Sequence, residues 1–206
     1  FLTFGPDALG LGFVFAMPFE KIIEENTHNA LFGNISYEVD QWRLDVGLRS
    51  DKWEETELNL DSETNGGIHA GKVDDTETLP RVSITRTLEN NSIAYFTSSK
   101  GYEPGGLNNG VPYTDGSGNR LLGSFGKEEA TQNELGWKGT INDGKTSIAI
   151  AYFDIDYKDR AFQVVAPNPG GPGLIEYVTN IGDSEQNGLE FEITTKATDN
   201  LTLSLA

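Results

Sequence analysis

The chain is 206 residues long, with 36% hydrophobic residues, 24 Gly and a formal net charge of -17. No stretch approaches the roughly 18 consecutive apolar residues of a membrane-spanning helix, which excludes a helical membrane protein but not a barrel of alternating strands. The excess of 32 acidic over 15 basic residues argues against a nucleic-acid-binding face, and the absence of cysteine excludes a disulfide framework or a thiolate site.

At the start of the chain no charged segment followed by an apolar one is visible, which reads as a missing N-terminus. Residues 1–19 are Phe-rich and leave loop or strand open, with a packed extracellular loop the better fit. Residues 30–39 then alternate, with Leu31, Gly33, Ile35, Tyr37 and Val39 on one side. Asp40-Gln41 is short enough for a hairpin. Residues 42–51 give the clearest strand: Trp42, Leu44, Val46 and Leu48 share one face, and Arg43, Asp45, Gly47, Arg49 and Asp51 the other.

A third strand spans about 78–88, with Val82, Ile84 and Leu88 apolar. Arg86 breaks that face and is tolerable only near an interface, where it can snorkel. Residues 89–91 turn the chain into a strand over 92–101, whose faces are hard to separate. A fifth strand covers about 127–141, with Leu135, Trp137, Gly139 and Ile141 together. The run Asn142-Asp143-Gly144-Lys145 is a strong turn signal. In the sixth strand, about 146–164, both faces are apolar: Ile148, Ile150 and Tyr152 against Phe153, Ile155 and Tyr157. The seventh spans about 174–196, with Leu189, Phe191 and Ile193 apolar near the turn at 197–200 and Asp183, Glu185 and Asn187 on the same face further back. That is a strand whose upper half rises out of a membrane. Leu201, Leu203 and Leu205 begin an eighth.

Short connections (40–41, 89–91, 142–145, 197–200) alternate with long ones, about 54–77, 102–126 and 165–173. Antiparallel strands then place every short turn at one end, as transmembrane barrels do with short periplasmic turns and long extracellular loops. Acidic pairs such as Glu54-Glu55 and Asp74-Asp75 fall in the expected long loops and read as solvated loop charge, the sharper alternative being attraction of cationic ligands. The predicted fold is all-β: part of an antiparallel up-and-down transmembrane β-barrel, with about eight strands.

Four segments resemble TonB-dependent outer-membrane receptors. The first is FTSSKGYEPGGLNN at 96–109, where Ser98, Ser99, Gly101, Tyr102, Gly105, Gly106 and Asn108 follow the family's strand into a long extracellular loop. The others are EEATQNELGWKGTI at 128–141, NIGDSEQNGLEFEI at 180–193 and NALFGNISYEVDQWRLDVGLRSD at 29–51, all in the family's order. The resemblance implies a larger barrel of about 22 strands with a plugged lumen, of which residues 1–206 would be an internal part, with the plug domain, TonB box and C-terminal strands outside it. It further implies a bacterial cell outer-membrane location and TonB-energised uptake of a scarce small-molecule ligand such as an iron–siderophore complex or vitamin B12. The partners would be the TonB energy-transducing complex, reached through parts not on this chain, and outer-membrane lipid. No cofactor, enzymatic activity or nucleic acid is implied.

Candidate sites are few. Loop aromatics are enriched in recognition, which singles out Trp53, Tyr102, Tyr113 and Phe125 at or beyond the long-loop ends; each also suits packing or an interfacial girdle. Arg43, Asp45, Arg49 and Asp51 suit a solute path or a cross-strand charge ladder in a wet lumen. Asp154 and Asp156, with Asp159, share a strand face but read as solvated. His28 and His69 lie far apart and read as two solvated histidines. The run Asp115–Asn119 fails the EF-hand pattern, having Arg120 at the sixth position and Gly126 at the twelfth. Gly10 and Gly12 lack the flanking strand and helix of a dinucleotide site, residues 167–173 read as a loop, and no nucleophile elbow is present. A passive porin-like channel and a soluble secreted glycan-binding β-protein, its apolar face packed on a second sheet, remain as rival readings.

Overall fold

The computed structural model describes residues 2–4, 15–17, 20–61, 69–108, 113–114, 120–121, 123–167 and 172–206. Eight strands form one antiparallel sheet in strict sequence order: β3 (Glu20–Val39), β4 (Trp42–Asp61), β5 (His69–Thr87), β6 (Ile93–Glu103), β11 (Glu128–Ile141), β12 (Thr146–Pro167), β13 (Leu174–Thr198) and β14 (Leu201–Leu205). Three small pairs complete the described residues: β1 (Leu2–Phe4) with β2 (Phe15–Met17), β7 (Gly106–Leu107) with β10 (Ser124–Phe125), and β8 (Tyr113–Thr114) with β9 (Arg120–Leu121). The β1–β2 pair shows that residues 1–19 include strand; the rest of that stretch, with Gly10 and Gly12, lies outside the described residues, as do 115–119.

The eight strands follow one another in the sheet in their sequence order, so the topology is plain up-and-down, with β7 to β10 carried on the β6–β11 connection. The short turns rest on residues that tolerate a left-handed backbone: Asp40 (φ 52°), Asn90 (φ 58°), and Asn142 and Asp143 (both φ 55°), followed by Gly144 at φ 80°. Lys145 N–H closes the last turn on the Asn142 carbonyl at 3.1 Å.

The two long connections flanking β4–β5 and β12–β13 are shorter than the sequence pattern predicts. Instead of a loop over 54–77, β4 continues to Asp61 and β5 begins at His69; instead of one over 165–173, β12 runs to Pro167 and β13 starts at Leu174. The acidic pairs therefore stand in strands, with Glu54 directly opposite Asp74. The physical reason is that alternation of apolar and polar residues marks only the part of a strand with one face in hydrocarbon. Above it both faces meet water, the alternation fades, and the backbone ladder continues unannounced. The β6–β11 connection is long as predicted, leaving the sheet after Glu103 and returning at Glu128.

Register sorts the side chains. Leu31, Ile35, Leu44, Val46, Val82, Ile84, Phe96, Leu135, Ile150, Tyr152, Leu189 and Phe191 fall on one face, and all are largely exposed. Among the described residues no second layer covers that face, and the buried hydrophobic side chains are only Trp53, Ala151 and Ile175. A soluble sandwich would bury this surface on another sheet. A continuous apolar band of this extent calls for lipid as its solvent. At the short-turn end the Arg86 guanidinium lies 5.2 Å from the centre of the Trp42 ring, the snorkelling position that the sequence requires.

The opposite face is polar. Arg43 grips Asp45 through Nε and Nη2 at 2.9 Å each and reaches Glu38 on β3 at 3.2 Å. The charge ladder thus runs mainly along β4, with one rung across. Ser83 bonds Thr97 at 2.9 Å and the Tyr95 hydroxyl donates to Glu134 at 2.6 Å. Two aromatic rings lie flat over glycines opposite them on this face. A Cβ on Gly136 would sit 2.4 Å from the Tyr95 ring, and one on Gly188 would sit 2.7 Å from the ring of Phe153. That resolves the ambiguous strands: Tyr95 and Phe153 point to the polar face because glycine makes room there.

An arginine at Val46, on the apolar band, should destabilise the assembled barrel by about 2–4 kcal/mol if the site lies near the bilayer midplane. Thr85→Arg on the polar face should cost far less. Urea unfolding of the intact protein in lipid vesicles checks this, and equal costs would contradict the face assignment.

Candidate functional site

The polar face is most built up just above the apolar band, and the cause lies in β5. The β5–β6 ladder ends at Arg81↔Ser99, one residue short of Pro80. Proline has no N–H to donate and stops a ladder at that point. The β6–β11 register nevertheless continues unbroken to Glu103↔Glu128. Freed from β5, the β6–β11 pair rolls. Lys100 and Tyr102, which strict alternation from Thr97 and Ser99 would send to the other face, meet the polar face of β4–β5 instead.

There they enter an acidic cluster. Lys100 donates to Glu77 at 2.8 Å and pairs with Glu129 at 2.9 Å. Lys127 bonds the other Glu77 oxygen and pairs with Asp75 at 3.2 Å and Glu129 at 3.4 Å. The Glu77 side chain is 7% exposed and that of Asp51, held by Arg49 at 2.8 Å, is 4% exposed. Burial alone would raise the Glu77 carboxyl, but the hydrogen bonds from Lys100 and Lys127 outweigh it and bring it down to about 2. The same bonds raise both ammonium groups.

Beside this cluster, His28 Nε2 lies 3.5 Å from Asp51 Oδ2 and 3.2 Å from the Tyr102 hydroxyl. His28 is exposed, with 49% of its side chain accessible, and from there bridges β3, β4 and β6. His69 stands opposite Asn59 in the backbone ladder. Among the described residues no group of three His, Asp or Glu could hold a metal ion. Asp154 and Asp156 stand opposite Asn187 and Glu185 on the lipid-side face of β12–β13, above its apolar part.

The ribbon made by β7 and β10 crosses the polar face. Leu107 N–H donates to Glu55 Oε1 at 3.2 Å, and its side chain fills the space left by Gly71. Burial raises the Glu55 carboxyl, opposed by that N–H. At its other side the ribbon meets β13 through two side-chain amides. Asn108 donates to the Val178 carbonyl at 2.9 Å and accepts from its N–H at 2.7 Å. Asn180 accepts from Gly126 N–H at 2.7 Å and donates to its carbonyl at 3.0 Å.

Of the predicted contact residues, the structure brings Trp53, Tyr102 and Phe125 to this region. Trp53 is 5% exposed on the polar face of β4, opposite His28 and Asp75. Tyr102 is half-buried at His28, and the Phe125 ring lies against Gly106 within the ribbon. Tyr113 belongs to the separate β8–β9 pair. Sequence reasoning gave no site role to Glu77, Lys100 or Lys127, and placed Asn108 and Asn180 only within family-like segments, without their contacts. The available signal was Pro80 inside an alternating strand.

A single curved antiparallel sheet with lipid outside and ionised groups inside defines an arc of a transmembrane β-barrel. Comparison with known proteins gives the family: residues 7–206 match the TonB dependent receptor-like β-barrel, and the chain belongs to that family. It is 27% identical over 183 residues to the probable TonB-dependent siderophore receptor PiuA of Acinetobacter baumannii, covering 87% of this chain and 23% of that protein. Among solved structures it superposes on the ferric yersiniabactin uptake receptor FyuA of Yersinia pestis with a TM-score of 0.67 at 19% identity, covering 91% of this chain and 27% of that one. On the siderophore receptor PiuA of Acinetobacter baumannii the TM-score is 0.65 at 24% identity, covering 93% and 26%. The chain thus spans about a quarter of the length of the receptors it matches. Membership places the segment in the outer membrane, and the sheet is a barrel arc left open at β3 and β14.

Glu77→Gln should destabilise the intact barrel by about 1–3 kcal/mol, since it leaves two half-buried ammonium groups with weaker partners. A depressed carboxyl contributes stability above its unfolded value and loses it as pH falls through the folded one, so the wild-type contribution should fade from about pH 4.5 towards pH 2. Thermal unfolding across that window should show a shallower acid slope in the variant; identical slopes would place the acid sensitivity elsewhere.

Proposed function

We propose that the intact protein is an outer-membrane receptor that takes up a scarce ligand, an iron–siderophore complex being the leading class, with energy relayed by TonB. The observation that carries this reading is the family match over residues 7–206 together with a lumen-side face rich in ionised and hydroxyl groups. The similarity of the chain to a probable siderophore receptor supports the ligand class. On this reading residues 1–206 are an internal part of a larger barrel, while the plug and TonB box are carried by other parts of the protein.

In the same reading the ligand meets aromatic side chains near the ribbon. Tyr102 and Phe125 are half-buried there, whereas Trp53 lies covered and Tyr113 belongs to the neighbouring pair. Aromatic anchors at recognition surfaces are worth about 1–2 kcal/mol each, or roughly tenfold in affinity.

Deleting the gene should abolish uptake of at least one 55Fe-labelled siderophore from a panel of catecholate, hydroxamate and phenolate types in iron-starved cells. Uptake should be lost equally in a strain without TonB, and Tyr102→Ala should weaken binding of that siderophore about tenfold. Unchanged uptake of the whole panel would remove the siderophore reading. Uptake independent of TonB, with passive solute flux, would favour a porin.

A further inference from the structure

The ribbon of β7 and β10 joins parts of the sheet that are not neighbours. Between β5 and β13 stand three strands, β6, β11 and β12. The ribbon and the residues that flank it nonetheless reach β4–β5, where Leu107 meets Glu55 and Gly71 and Lys127 meets Asp75 and Glu77, and β13, where Asn108 meets Val178 and Gly126 meets Asn180. We infer that it is a releasable clamp, fastened at one end by ion pairs and at the other by neutral amides, which ties β4–β5 to β13 across the lumen side of the barrel wall.

The two fastenings obey different physics. At β5, Lys127, two residues beyond β10, makes the ribbon's ion pairs with Asp75 and Glu77, while Lys100 belongs to β6 and shares Glu77 from within the sheet; both lysine side chains are 26% exposed. Salt in the lumen therefore reaches them and weakens their attraction to the carboxylates. At β13, Asn108 and Asn180 each use both functions of one amide, donor and acceptor, on one residue's backbone, as a paired strand would. These bonds carry no net charge and are insensitive to ionic strength. The clamp should thus let go first at β5 and remain hinged at β13.

What lies beneath points to a cover that lifts. Among the described residues, the Trp53 indole N–H is buried without an acceptor. A buried donor left unpaired costs about 1–3 kcal/mol, which any opening of this region to water would relieve. The polar face beside the ribbon is also acidic, with Asp51, Glu55, Glu57, Asp75 and Glu77; their mutual repulsion is relieved only while Lys127 is docked, so screening by salt weakens the hold at this end.

The absence of native cysteine makes the test direct, provided the rest of the intact protein is likewise kept free of other thiols. In folded, detergent-solubilised protein, Leu107→Cys should react with a polyethylene-glycol maleimide at least tenfold more slowly than Asp143→Cys in the exposed turn. Glu77→Gln and Asn180→Ala should each speed Leu107→Cys labelling several-fold. Sodium chloride at 1 M should speed it further in the Asn180→Ala background, where the ionic end remains, and little in the Glu77→Gln background. Lys127→Met replaces Glu77→Gln should that variant fail to fold, and must give the same pattern. Independently, the Gly71→Cys/Leu107→Cys pair should close a disulfide on mild oxidation. Failure of the pair to cross-link would overturn the docking. Labelling of Leu107→Cys as fast as the turn control, or an equal response to salt in both backgrounds, would overturn the clamp.

Discussion

Hydrocarbon offers no hydrogen-bond partner to a peptide group, and the rest of this structure follows from that constraint. Each N–H and C=O within the bilayer must be met by the adjacent strand, so the ladders from β3 to β13 run in continuous register through the apolar band. Continuous register in turn fixes side-chain parity, and parity separates a lipid face from a lumen face without any packed core between layers. Trp42 with Arg86 marks where the band ends on the short-turn side.

Where the strands leave the lipid the constraint relaxes, and the irregular features gather there. Pro80 ends the β5–β6 ladder, and the freed β6–β11 pair rolls toward the lumen. On the other side of the arc the β12–β13 register shifts between Tyr157 and Arg160, with Asp159 at φ 54° and its carbonyl taken by the Asn180 amide at 2.5 Å. A bulge of this kind bends a strand and raises its twist. One break turns the ribbon inward, and the other carries the strand that receives it.

The acidity of the chain has a place in this arrangement. Charges on the lumen face are tolerated because water and counter-charges reach them, and three of the carboxylates there are buried: Asp51, Glu57 and Glu77. Lysines at 100 and 127 neutralise this group locally although the chain as a whole is strongly negative. The result is a lumen wall of alternating ion pairs below and a partly desolvated, ribbon-covered acidic patch above.

Much of this was legible in the sequence, because alternation with period two is a direct imprint of one face in lipid and one in water. Residues 42–48 and 189–193 declare their faces in any register, and Asn142-Asp143-Gly144 declares its turn. The extension of β4 to Asp61 and of β5 back to His69 was not legible, since strand pairing between two wet faces leaves no pattern in side-chain type. Trp53 and Tyr102 could be singled out as aromatics, but not that one is covered and the other bonded to His28. The meeting of Glu77 with Lys100 and Lys127, and of Asn108 and Asn180 with backbone on distant segments, depends on how far the β6–β11 pair rolls once Pro80 releases it. That angle is set by packing between segments some 50–70 residues apart in the chain, as for Lys127 with Glu77 and Asn108 with Val178, so only the tertiary structure decided it.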